Sequence, residues 1–81
     1  MRLDKFLKVS RIIKRRTVAN DACDAGHVQV NGRVARASLE VKEGDVIEVD
    51  FGGRRAQFRV ASVRENALKN QAAEMYEMID S

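Results

Sequence analysis

At Gly26 the apolar residues change period, and no other feature constrains the fold as strongly. Before it, Leu3, Phe6 and Leu7 recur at i, i+3 and i+4, and Val18, Ala19, Ala22 and Cys23 recur at helical spacing. After it, His27-Val28-Gln29-Val30 alternates and runs into Asn31-Gly32, the strongest short hairpin signal, before Arg33-Val34-Ala35 resumes. A helical stripe repeats every 3.6 residues and a strand face every two, so one pattern cannot serve the other element. The chain therefore predicts helices first and a sheet after. A short amphipathic helix is expected over roughly 2–8, then a connector through Val9–Ile13 anchored by Ile12 and Ile13. A second helix is expected from about Lys14 to Ala25, with Gly26 in the C-cap position.

The remainder continues the sheet. Val46 to Phe51 reads as a strand, preceded by Glu43-Gly44-Asp45 and followed by a Gly52-Gly53 turn, and a further strand is expected from about Ala56 to Val63. The tail from Ala67 to Ile79 places Leu68, Ala72, Met75 and Ile79 on one stripe and predicts a terminal helix. The expected fold class is α+β: a helix pair packed on a small antiparallel sheet, with a short C-terminal helix. The 81 residues contain no proline and no linker-like stretch, so one domain over 1–81 is expected. A domain of this size buries only about 60–65% of its unfolded surface, which leaves little room for a deep substrate pocket.

The chemistry of the side chains is equally restrictive. One cysteine, Cys23, excludes an internal disulfide framework and a cysteine-rich zinc site, and one histidine, His27, adds no ligand set. Cys23 falls on the apolar stripe of the second helix, where a small core residue is expected. No nucleophile–base pair or phosphate-binding glycine motif is present, so no enzyme, cofactor or metal is expected. No apolar run approaches a signal-peptide core or a membrane span. The cytoplasm is the expected location, with no membrane partner.

Charge separates along the chain. Residues 1–36 hold nine Lys or Arg against three acids, a balance of +6, while residues 37–81 hold six against nine, a balance of −3. Such asymmetry points to a polyanion on one side of the molecule. Lys14, Arg15 and Arg16 fall at the start of the second helix, where the macrodipole already disfavours cations by a few tenths of a kcal/mol. No Ser, Thr, Asp or Asn precedes them as a cap. Three cations there suit a bound phosphate, on which free N–H groups and basic side chains converge; the alternative is a solvated charge run. Arg2, Lys5, Lys8 and Arg11 extend this surface, and the planar guanidinium ranks the arginines above the lysines. Asp4 is a lone acid inside it: it pairs with Lys8 at i, i+4, orients a neighbouring arginine, or meets a protein partner. Phe6, Phe51 and Phe58 are expected in the core rather than stacked on bases, so recognition should rest on backbone and shape. The acids Glu40, Glu43, Asp45, Glu48 and Asp50 read as a solvated strand edge and turn.

The succession RLDKFL, SR, KRRTVANDACDAG and HVQVNGRV resembles the S-four RNA-binding domain, the αL motif family. The resemblance implies that the motif occupies about residues 1–50, with a C-terminal strand and helix at about 54–80. Its helix pair would form the RNA-binding face, and the V-x-V-N-G hairpin would support it. The matching basic residues are Arg2, Lys5, Arg11, Lys14, Arg15 and Arg16, with Arg33 beside the Asn31-Gly32 turn. The opening MRLDKFLKVSRIIKRR, the GDVIEV strand and the AAEMYEMI tail are most similar to small stand-alone bacterial members of the family, relatives of its ribosome-associated heat-shock protein. That likeness implies a role in ribosome-associated quality control. The implied partners are large-subunit ribosomal RNA and tRNA, on large ribosomal subunits carrying peptidyl-tRNA, and the tailing factor RqcH, with a monomer off the ribosome. A ribosome-assembly protein, or the recognition module of an RNA-modifying enzyme acting in trans, are the other readings.

Overall fold

The computed structural model describes residues 1–65 and 68–79. As far as β4 the elements follow the predicted order: α1 (Leu3–Val9), α2 (Arg16–Asp24), β1 (Val28–Val30), β2 (Arg33–Val34), β3 (Val46–Asp50) and β4 (Arg55–Val60), followed by α3 (Lys69–Ala72) and β5 (Tyr76–Ile79). The five strands form one antiparallel sheet in the order β2-β1-β3-β4-β5. Register aligns the alternating apolar residues into rows. Val30, Ile47 and Phe58 form one and Val28, Val49 and Ala56 the next. Leu3, Phe6 and Leu7 of α1 and Ala19 and Cys23 of α2 complete one core with these rows.

Local chemistry sets the element boundaries. α2 ends as the glycine predicts: Gly26 has φ 83, its N–H donates to the Cys23 carbonyl at 3.0 Å, and the His27 N–H donates to Ala22 at 2.9 Å. Asn31 (φ 53) and Gly32 (φ 83) make the β1–β2 turn, where two left-handed residues match the strand twist. The Asn31 side chain then ties the turn to β3. Its Oδ1 accepts the Val46 N–H at 3.0 Å and its Nδ2 donates to Asp45 Oδ1 at 3.2 Å. The acids read as solvated are partly structural: Asp45 Oδ2 accepts the Lys42 N–H at 2.9 Å and Asp50 Oδ1 the Gly53 N–H at 2.9 Å.

Two expectations are corrected. The terminal helix stops at Ala72, and Tyr76–Ile79 is strand β5, paired with β4 from Val60↔Tyr76 to Gln57↔Ile79; Ala67, the expected start, lies outside the described residues. The open edge of β4 offers four residues of backbone pairing, while Ala72 and Met75 are buried between helix and strand. Phe51 is 48% exposed rather than a core residue. β3 ends at Asp50, the Phe51 N–H donates to the Arg54 carbonyl within the turn, and the strand alternation that would bury the ring does not reach it.

Candidate RNA interface

The two helices begin differently. The first N–H groups of α1 are consumed by the segment that follows β2: Leu3 N–H donates to Leu39 O at 2.7 Å and Asp4 N–H to Ala37 O at 3.2 Å. α2 has Arg15 in extended conformation at its N-cap and no side-chain cap. Its first turn, Arg16-Thr17-Val18, is exposed and carries no acid. The partial positive charge of that terminus is therefore presented outward, beside Lys14, Arg15 and Arg16, which are all exposed.

Asp4 organises this end of the helix pair. The residue is 2% exposed, and its carboxylate accepts from the Lys5 N–H at 2.8 Å, Arg2 Nε at 3.2 Å, Arg16 Nε at 3.3 Å and Asn20 Nδ2 at 3.3 Å. Burial raises the pKa of its carboxyl. Hydrogen bonds from Asn20, Arg16 and the Lys5 N–H, with the charge of Arg16, outweigh burial and hold it below the ordinary aspartate range. The carboxylate is thus ionised at neutral pH and holds two guanidinium groups, Arg16 by Nε and Arg2 by Nε and, at 3.5 Å, Nη2. Both arginine side chains are about half exposed, at 51% for Arg2 and 48% for Arg16. Arg16 donates to Asp4 through Nε, the inner atom of its fork, and keeps its outer nitrogens for a phosphate or a base edge, whereas the Arg2 fork is turned partly inward. Among the described residues, Asp4 makes ion pairs with Arg2 and Arg16, and Lys8 is not one of its partners.

The other expected residues are distributed more widely than one face. Lys5 is paired with Glu65, whose carboxyl is held below its ordinary range by that hydrogen bond and charge. Lys8 is exposed in the last turn of α1. Arg33 lies in β2 on a groove with Arg36, Leu39 and Lys42. Arg11 lies at the C-terminal end of α1, in a groove with Phe51, Arg54 and Arg55. It adopts φ 64, a left-handed conformation that costs a non-glycine residue about 1–2 kcal/mol. The shallow pocket beside Asp4 is lined by Arg16, Thr17, Asn20 and Asp21.

Sequence reasoning missed Asn20 as the fourth arm of the Asp4 cluster. The signal was available, because Asn20 follows Arg16 by four residues and shares its helix face. It also passed over Arg54 and Arg55 and assigned Phe51 to the core; all three sit in a half of the chain that is acidic on balance. Cys23 is buried, and burial foremost, with the charges of Asp4 and Asp24, pushes its thiol up to about 11. A thiol protonated to that degree is a poor nucleophile at neutral pH. Among the described residues no group of His, Cys, Asp and Glu could hold a metal ion, and no helix is long and apolar enough to cross a membrane.

Comparison with known proteins agrees with this fold. The model of the S4 domain family matches residues 1–47, which hold both helices, the β1–β2 hairpin and the loop that closes the start of α1. The RQC P-site tRNA stabilizing factor of Halalkalibacterium halodurans is 49% identical over 78 residues, covering 96% of this chain and 89% of its own. The factor of the same name from Bacillus subtilis is 47% identical over 79 residues, covering 98% and 92%. Among solved structures, the trimeric heat shock protein 15 of Vibrio cholerae superposes with a TM-score of 0.90 at 26% identity, covering 98% of this chain and 81% of its own. With its helix pair, its V-x-V-N-G hairpin and relatives matched along nearly their whole length, the chain belongs to the S4 domain family, in the branch that holds the RQC P-site tRNA stabilizing factors.

Proposed function

We propose that this chain is a non-catalytic RNA-binding factor of bacterial ribosome-associated quality control. The single observation that carries the reading is the Asp4 clamp. A buried carboxylate holds Arg2 and Arg16 in fixed positions beside an uncapped helix start. A cluster built for stability alone would not leave two guanidinium groups half in water, and two further cations, Lys14 and Arg15, at an uncapped positive helix end. The same arrangement serves a phosphate backbone, which supplies the missing negative charge.

The names of the relatives extend the reading to a partner. The helix-pair face grips ribosomal RNA and P-site peptidyl-tRNA on obstructed large subunits, and so supports alanine tailing of the stalled chain by RqcH. Arg2, Arg16, Lys14 and Arg15 are the primary contacts, with Lys5, Lys8, Arg11 and Arg33 at the periphery. Asp4 is a positioning residue. Off the ribosome the chain is a monomer and works in the cytoplasm.

Sucrose-gradient fractionation of cells expressing a tagged copy tests this. The protein should move with large subunits and be enriched where peptidyl-tRNA accumulates. Arg16→Glu should release it to the ribosome-free fractions, while Glu48→Lys, on β3, should stay bound. Retention of Arg16→Glu on the subunits, or absence of the wild type from them under stalling conditions, would defeat the proposal. A ribosome-assembly protein would instead sediment with immature particles.

A further inference from the structure

Arg11 occupies a conformation that a glycine would adopt at lower cost. It follows the C-cap of α1 with φ 64, its N–H donating to the Lys8 carbonyl at 3.0 Å, the position where helices commonly place glycine. A long side chain held there against the backbone's preference marks a functional constraint. That side chain lines a groove with Arg54 from the β3–β4 turn, with Arg55, the first residue of β4, and with the rings of Phe51, Phe58 and Tyr76. Phe58 and Tyr76 form the packed wall, edge to face at 5.3 Å between centroids. Phe51 is different, because half of its surface is in water.

The cluster is separate from the Asp4 clamp. The clamp gathers at the start of α1 and Arg11 lies beyond its end, a span of about 10 Å for a helix of this length. Among the described residues, no ion pair joins Arg11, Arg54 or Arg55. Three guanidinium groups around an open ring present two features at once: charge for phosphates, and a flat apolar surface of the size of a base. A paired stem buries its base faces in its own stack, whereas an unpaired segment offers them. An acidic peptide would satisfy the charge and leave the ring without a partner.

We propose that this groove is a second RNA contact that takes an unpaired segment, with one base stacked on Phe51 and the flanking phosphates on Arg11, Arg54 and Arg55. The chain then holds two RNA elements at once, one at each end of α1. The proposal rests on the reading of the chain as an RNA binder and adds a site to it.

Two RNA probes test it on the full chain: a blunt stem capped by a tight loop, and an unpaired ten-nucleotide strand. The sequence contains no tryptophan, so Phe51→Trp introduces a single reporter in the groove. Its fluorescence should be quenched by the unpaired strand, also when the stem is already at saturation, and left unchanged by a poly-glutamate peptide. Arg11→Gly removes the cation and relieves the backbone. It should melt no lower than the wild type and lose roughly fivefold or more in affinity for the unpaired strand; Arg54→Ala, on the same groove and outside the helix pair, should lose the strand likewise while keeping stem affinity. Arg16→Glu should do the reverse, losing the stem and keeping the strand. The proposal is overturned if the strand leaves the reporter unquenched, if Arg11→Gly binds it as the wild type does, if poly-glutamate competes equally, or if Arg16→Glu abolishes both RNAs together. Wild-type protein that binds neither probe would sink the RNA-binding reading itself, whereas binding of the stem alone would remove only the second site.

Discussion

Asp4 and Arg16 stand twelve residues apart and meet at 3.3 Å, a buried carboxylate oxygen against the Nε of a half-exposed guanidinium. The contact joins the starts of α1 and α2, and it fixes a side chain that must also reach outward. Asp4→Ala removes five acceptor contacts and leaves Arg2, Arg16 and Asn20 without their partner. Loss of such a network costs about 1–3 kcal/mol, or on the order of 5–20 °C in a domain this small. RNA affinity should fall although the protein becomes more basic, which separates positioning from net charge. Thermal melting and titration of a stem RNA check both; tighter binding by Asp4→Ala would show that the acid is merely repulsive.

The ionisation of Asp4 also gives the fold a pH dependence of definite sign. Its carboxyl sits below its unfolded value of about 3.9. A depressed folded-state pKa contributes stability above the unfolded value, and that stability is lost as pH falls through the folded one. Urea midpoints measured downward from pH 5 should therefore drop below about pH 4, and Asp4→Asn should flatten the drop. Glu65 shares the sign, but it is exposed, so salt screens its pairing with Lys5 while the buried Asp4 contribution persists. A profile that Asp4→Asn leaves unchanged would place the acid sensitivity elsewhere.

The helix pair and the hairpin were legible because their information is local. Leu3, Phe6 and Leu7 state one face of α1 by spacing alone, and Asn31-Gly32 states its turn by backbone preference alone. The tail was not, because Leu68, Ala72, Met75 and Ile79 fit a helical stripe while Tyr76–Ile79 equally satisfies a strand. The deciding term is the unpaired edge of β4, sixteen or more residues earlier in the chain and invisible to a local window. The site shows the same division. Basic residues near α2 were evident from charge, but that Asp4 would gather Arg2, Arg16 and Asn20 depends on how the two helices cross. That Arg11 would leave this group for Arg54 and Arg55 depends on a left-handed residue that composition does not announce.

Asn31 carries the β1–β2 turn and also bonds β3 through its side chain. Alanine there must hold φ near 53 without those bonds. Asn31→Ala should cost about 2 kcal/mol, from left-handed strain together with an unmet Val46 N–H. Asn31→Gly removes the strain and leaves only the lost bonds, so it should fall between the wild type and alanine. Equal midpoints for the two variants in urea would mean that the conformation contributes nothing.

Cys23 should behave as a core residue and not as a reactive thiol. It is buried on α2, with its pKa pushed to about 11. At pH 7.5 only a minute fraction is thiolate, and that fraction is shielded. Iodoacetamide should label the native protein far more slowly than the unfolded one, and Cys23→Ser should lower stability without changing RNA binding. Fast native labelling, measured by mass shift, would contradict the burial of α2 against the core.

Arg16→Lys separates the charge at the α2 start from its geometry. A lysine preserves the positive charge, so the slope of log affinity against log salt should change little, each lost phosphate contact being worth about 0.7–0.9 in that slope. Its ammonium is a compact point charge, so when it donates inward to Asp4, as Nε does, its remaining N–H groups do not reach the outward positions of the planar guanidinium fork. Affinity for a stem RNA should therefore fall by roughly tenfold at constant slope, corresponding to one charge-assisted bond of ~1.4 kcal/mol. Arg16→Gln should lose both the affinity and about one contact's worth of slope. If Arg16→Lys binds as the wild type does, a diffuse positive field suffices and the clamp by Asp4 is dispensable. If its slope falls with its affinity, lysine has turned inward to the carboxylate and left the phosphate altogether.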